Sequence, residues 1–122
     1  MPIKKILLVD DSPTERHSIN EILVKGGYEV VIAEDGEKGV AKAKTDNPDL
    51  VLMDVVMPGM NGFQACRAIT THEATKHIPV ILCTSKNQET DKVWGVRQGA
   101  KDYVTKPVEA NELLVKIASL SK

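Results

Sequence analysis

Short apolar runs recur at Ile6–Val9, Val30–Ala33, Leu50–Met53, Val80–Cys83 and Tyr103–Val104, and between them lie longer stretches in which apolar residues return at helical spacing. A run that is apolar at every position suits a strand buried on both faces. Alternation of such strands with helices predicts an α/β domain built on a parallel, doubly wound five-stranded sheet. Ser12 followed by Pro13 and Glu15 has the pattern of a capping box at the start of the first helix, whose inner face is Ile19, Ile22 and Leu23 and whose end is Gly26-Gly27. Asp35-Gly36-Glu37 opens a second helix with Val40, Ala41 and Ala43 inside, stopped by Asn47-Pro48. The third runs from Gly62 to about Thr71 with Phe63, Cys66 and Ile69 on one face. A fourth, from Gln88 to Gln98, is interrupted by Gly95 and has only Val93, Trp94 and Val96 as apolar residues. The last carries a stripe of Leu113, Leu114, Ile117, Ala118 and Leu120. Gly59 and Gly62 are expected in a turn needing positive φ, and Met57-Pro58 in a rigid bend.

Parallel neighbours need right-handed crossovers, and a flavodoxin-like strand order of 2-1-3-4-5 would set the first and third strands side by side. Ligands of such sheets bind beyond the carboxyl ends of the strands, at the switch point. Asp10 and Asp11 follow the first apolar run and Asp54 follows the third, so this order brings three acidic groups to one edge. Their repulsion in a partly desolvated place calls for a hard divalent cation, and an oxygen-only donor set suits Mg²⁺, which points to phosphate chemistry. Thr84 ends the fourth run, and Lys106, with Pro107 next, ends the fifth.

Bulk properties narrow the field. A length of 122 residues predicts one domain over 1–122, and a net charge of −1 from mixed acidic and basic residues argues against direct DNA binding. No apolar stretch approaches the roughly 20 residues that span a bilayer. The start Met1-Pro2-Ile3-Lys4-Lys5 leads into a strand rather than a signal peptide, so a cytoplasmic protein without membrane insertion is expected. Cys66 and Cys83 lack metal-ligand spacing and are expected as buried free thiols. His17, His72 and His77 stand among polar neighbours, as surface residues do.

Asp10-Asp11, Asp54 with Met57-Pro58-Gly59-Met60-Asn61-Gly62, Thr84-Ser85, and Lys106-Pro107 together resemble the receiver domain of two-component response regulators (CheY-like), from Ile6 to Leu120. The segment Gln88-Glu89-Thr90-Asp91-Lys92-Val93-Trp94-Gly95, with Val55-Val56-Met57-Pro58 and Asn61-Gly62-Phe63-Gln64-Ala65, is similar more narrowly to the stand-alone receivers of type IV pilus chemosensory systems, which control twitching motility. The resemblance implies that Asp54 is the phosphoacceptor, attacking a phosphohistidine of a partner histidine kinase, so that the protein is not an enzyme beyond its own phosphorylation and dephosphorylation. It implies that Mg²⁺ is held by Asp11 and Asp54 directly, by the Val56 backbone carbonyl, and by Asp10 through water. Lys106 is then the charge on the phosphoryl oxygens, Thr84 the hydroxyl that meets another oxygen, and the Lys106-Pro107 bond is cis.

The same resemblance suggests a switch in which Thr84 moves towards the new anion and Tyr103 rotates inwards behind it, reshaping the surface made by the Gln88–Gln98 helix, the last strand and the last helix. Val56 and Lys86 stand two residues after Asp54 and Thr84, at positions that in the family tune water access and hence phosphate lifetime. Output would pass by contact with an unidentified protein, or the chain would act as a phosphate reservoir. Three other functions fit the sequence less well: a haloacid dehalogenase-type phosphatase, a flavodoxin-like cofactor carrier and a receiver that is never phosphorylated. The first needs a second Asp two residues after the nucleophile, where Val56 stands. The second needs a hydroxyl- or glycine-rich phosphate loop after the first strand, where Asp10-Asp11 would repel the phosphate, and the third conflicts with the intact set of acidic, hydroxyl and lysine positions. A receiver of another chemotaxis-like pathway remains the alternative to the pilus assignment.

Overall fold

The computed structural model describes residues 2–84 and 99–121. The expectations for Ser85, Lys86, Trp94 and the Gln88–Gln98 helix lie outside the described residues. Five parallel strands, β1 (Lys5–Val9), β2 (Glu29–Ala33), β3 (Leu50–Asp54), β4 (Val80–Thr84) and β5 (Asp102–Thr105), form one sheet in the order β2-β1-β3-β4-β5. The described helices are α1 (Pro13–Lys25), α2 (Gly36–Asp46), α3 (Gly62–Thr71) and α4 (Ala110–Leu120). None of them is long and apolar enough to cross a membrane.

Side chains alternate across each strand, so the apolar runs supply two cores at once. Leu7, Val9, Val51, Met53, Val80 and Leu82 point to one face and meet Ala43 of α2 with Ala65, Cys66 and Ile69 of α3. Ile6, Leu8, Leu50, Leu52, Ile81 and Cys83 point to the other and meet Ile19 and Leu23 of α1 with Leu113 and Ile117 of α4. Each fully buried Leu or Ile stabilises the fold by about 1.5–3 kcal/mol. Covering both faces in this way is what allows strands to be apolar throughout.

The helices bury narrower faces than expected. Ala41 and Ala118 are exposed, because a methyl group at the margin of a stripe adds little area to the contact. The close contact of α2 comes instead from Gly39, where a Cβ would sit 2.8 Å from Val9 Cγ2. Gly59 has the expected positive φ, 73°, but Gly62 does not. Its requirement is space: a Cβ there would strike the Asp54 carbonyl oxygen and lie 2.7 Å from Val55 Cα. Next to it, Asn61 and Gln64 form a reciprocal capping box at the start of α3, a pattern with an amide pair in place of Ser and Glu. Cys66 and Cys83 are buried thiols outside any disulfide, and burial pushes both up to about 12. His17, His72 and His77 are exposed.

Candidate functional site

The register pairs Val9 with Met53 across β1 and β3, so the chain leaves both strands at the same height and presents Asp10 beside Asp54. Both are buried, with 1% and 5% of their surface exposed. Asp10 is held from the first turn of α1: the Ser12 N–H donates to its Oδ1 at 2.9 Å, and the Arg16 guanidinium donates to its backbone carbonyl at 2.8 Å. Asp11, the next residue, lies in the bend before the Ser12 cap and is exposed.

Thr84 and Thr105 pair across β4 and β5, which brings Lys106 to the same edge. The Lys106 N–H donates to the Thr84 carbonyl at 2.7 Å, and the Lys106-Pro107 peptide is cis. The Lys106 ammonium lies 2.6 Å from Asp54 Oδ1, 2.5 Å from Glu15 Oε2 and 3.5 Å from Asp10 Oδ2. Three carboxylates against one ammonium leave a net charge of −2 when all are ionised.

The electrostatics follow from that excess. Burial raises Asp54 to about 6 against the opposing Lys106 hydrogen bond, and the neighbouring Asp10 charge adds to the rise. Burial likewise raises Asp10, although the Ser12 N–H and the Lys106 charge pull it down. Burial works against the Lys106 ammonium, but bonds to Asp54 and Glu15 outweigh it and lift its pKa above the ordinary value.

One further polar atom at the ends of these strands lacks a partner among the described residues. The Thr84 hydroxyl is buried and makes no hydrogen bond among the described residues, a cost of about 1–3 kcal/mol for a group of this kind. The Val56 side chain is 70% exposed, one residue beyond Val55, whose N–H and carbonyl bond to the Cys83 carbonyl at 3.2 Å and the Gly62 N–H at 2.9 Å. Tyr103 is half-buried, packs against the core on the α2–α3 side, and has the Lys116 ammonium 4.8 Å from its ring centre. Lys86 lies outside the described residues.

Glu15 is the member the sequence did not disclose. The Ser12 hydroxyl does accept the Glu15 N–H, at 3.3 Å, but the returning half of the capping box is absent and the carboxylate has turned to Lys106. Asp10, Glu15 and Asp54 each offer a carboxylate oxygen within 4.8 Å of the others. The two buried members, Asp10 and Asp54, offer hard oxygen donors, and the surplus negative charge around them fits a magnesium ion.

A model of the response regulator receiver domain matches residues 6–118. The chain belongs to the response regulator receiver family. It is 58% identical over 110 residues to Protein PilH of Pseudomonas aeruginosa, a match covering 90% of this chain and 91% of that protein. The structure of the chemotaxis response regulator CheY4 of Vibrio cholerae superposes with a TM-score of 0.88 at 32% identity, covering 97% of this chain and 98% of that one. The receiver domain of sensor histidine kinase PA1611 from Pseudomonas aeruginosa, solved with a magnesium ion coordinated in its active site cleft, gives 0.89 at 31% identity and covers 96% of each chain.

Proposed function

We propose that this chain is a stand-alone receiver, a single domain over 1–122, in which Asp54 accepts a phosphoryl group from a phosphohistidine of a chemosensory histidine kinase with Mg²⁺ as cofactor. Asp54 Oδ attacks phosphorus, and the new O–P bond forms as the P–N bond breaks with its electron pair left on the imidazole. Lys106 orients the attacking carboxylate and then meets the phosphoryl oxygens, to which its compact ammonium is suited. Thr84 donates its buried hydroxyl, which has no partner among the described residues, to another of those oxygens. The ion would be held by Asp11 and Asp54, by the Val56 carbonyl, and by Asp10 through water. When bound it supplies neutralisation of the oxygen charge that repels the nucleophile.

One observation carries this reading: Lys106 bonded at 2.6 Å to a buried Asp54 at the carboxyl edge of the sheet, beside the Thr84 hydroxyl. Incubation with acetyl phosphate and Mg²⁺, followed by intact mass, tests it. One phosphoryl adduct is expected, absent from Asp54→Asn and absent in EDTA. An adduct that survives Asp54→Asn overturns the assignment.

Thr84 and Tyr103 form the proposed switch, with Tyr103 moving from its half-buried place as the hydroxyl engages phosphate, and Val56 and Lys86 tune how long the phosphate persists. Extensive identity with PilH supports a role in type IV pilus twitching motility in the cytoplasm, with output through protein contact or as a phosphate reservoir. Phosphotransfer from the chemosensory kinase of the same pilus system, at a rate above that from an unrelated chemotaxis kinase, is the result expected for this assignment.

A further inference from the structure

We infer that Glu15 is a displaceable counter-ion of Lys106: it occupies the ammonium in the resting protein and must yield it when the phosphoryl group arrives, so it sets the concentration of phosphodonor needed to load Asp54. This goes one step beyond the proposed function and rests on Asp54 being the phosphoacceptor.

The three carboxylates around Lys106 are not equivalent. Asp10 and Asp54 are fixed: their side chains are 1% and 6% exposed, and Asp10 is further tied by the Ser12 N–H. The Glu15 side chain is 45% exposed, and its carboxylate has no bond besides Lys106 among those of the described residues. Its backbone is anchored, with the N–H on the Ser12 hydroxyl, so the side chain can swing without disturbing the helix start. There is also a place to swing to. Glu15 lines a cavity of about 230 Å³ with Thr14, Ser18, Ile22, Lys106 and Pro107, open to solvent between α1 and the chain that follows β5.

A phosphoryl group brings about two negative charges to a cluster that already carries a surplus. Among the described residues Lys106 is the one side-chain cation bonded to these carboxylates, and it cannot serve three carboxylates and a dianion together. The group that leaves is the one whose charge water can solvate, and only Glu15 is exposed enough for that. The contact is therefore a cost on loading, modest because it lies at the solvent boundary.

The test measures adduct formation on Asp54 against acetyl phosphate concentration at saturating Mg²⁺ in the parent, Glu15→Gln, Glu15→Ala and Glu21→Gln. Glu21 pairs with His17 at 3.1 Å on the exposed side of α1 and serves as the charge-removal control. Glu15→Gln and Glu15→Ala are expected to lower the half-saturating acetyl phosphate concentration by roughly fivefold, with little change in the maximal rate, and Glu21→Gln to change neither. Inorganic sulfate, an inert dianion, gives a second readout in metal-free protein. The amide signals of Thr84 and Lys106 should shift at several-fold lower sulfate in the two Glu15 variants. If the parent forms the adduct and the Glu15 variants share its half-saturation, this inference fails while the phosphoacceptor assignment stands. If the parent forms no adduct, both fall.

Discussion

At the amino-terminal end of the sheet the Asp49 carboxylate accepts the N–H groups of Lys4 and Lys5 at 2.9 and 3.0 Å, and those bonds hold its pKa below the ordinary range. Nearby, the buried Thr75 hydroxyl donates to the Ile69 carbonyl at 2.7 Å. At the carboxyl-terminal end the same two residue types fare differently. Asp54 is buried among like charges and raised to about 6, and the Thr84 hydroxyl makes no bond among the described residues. One end spends its polar groups on the fold, and the other keeps them ready for a ligand. Strain of this kind concentrates at functional edges because the remaining structure is stable enough to hold it.

The largest effect that breaks this contrast is steric. Gly62→Ala sets a methyl group against the Asp54 carbonyl and should destabilise the protein by about 3 kcal/mol or more in urea unfolding, because the obstacle is backbone. Asp54→Asn comes next and has the opposite sign. Between the ordinary 3.8 and about 6 the native state holds a proton on Asp54 that the unfolded chain has released, so metal-free stability falls as pH rises through that window. Removing the charge should therefore stabilise the protein in EDTA by about 2–3 kcal/mol at pH 7, a gain that disappears near pH 4. Equal urea midpoints for parent and variant at pH 7 would contradict the burial cost.

The two threonines sharpen the comparison through one substitution. Thr75→Val leaves the Ile69 carbonyl without its donor and should cost about 1–2 kcal/mol, whereas Thr84→Val removes an unpartnered hydroxyl and should be neutral or stabilising by up to about 1 kcal/mol. A small effect is expected at the exposed Asp49. Its lowered pKa means that its contribution is present above 3.8 and is lost as pH falls through the folded value. Asp49→Asn should cost about 1 kcal/mol at neutral pH, and melting curves of parent and variant should converge in strong acid.

Much of this architecture can be read from residue types because burial on both faces demands unbroken apolar strands, and Ile6–Val9 and Leu50–Met53 declare themselves that way. The strands run one residue further at Lys5, Glu29, Asp54 and Thr84, since backbone pairing continues past the last apolar side chain. The convergence of Asp10, Asp54, Thr84 and Lys106 was legible because each stands at the carboxyl end of an apolar run, and the flavodoxin-like order sets those ends along one edge. Glu15 was not. Its position three residues after Ser12 suits a helix cap equally well, and only the placement of Lys106, 91 residues away, makes the alternative contact available. The difference between Asp10 and Asp11 was equally hidden, because the direction of each side chain depends on where strand geometry gives way to the helix cap.

The bond from the Lys106 N–H to the Thr84 carbonyl has a mechanical corollary. It clamps the tips of two adjacent strands by their main chains, so a pull on the threonine oxygen meets a stiff mount and is relieved by torsion about one side-chain axis. The edge thus behaves as a swivel bolted to a rigid beam: the swivel can turn while the beam stays still.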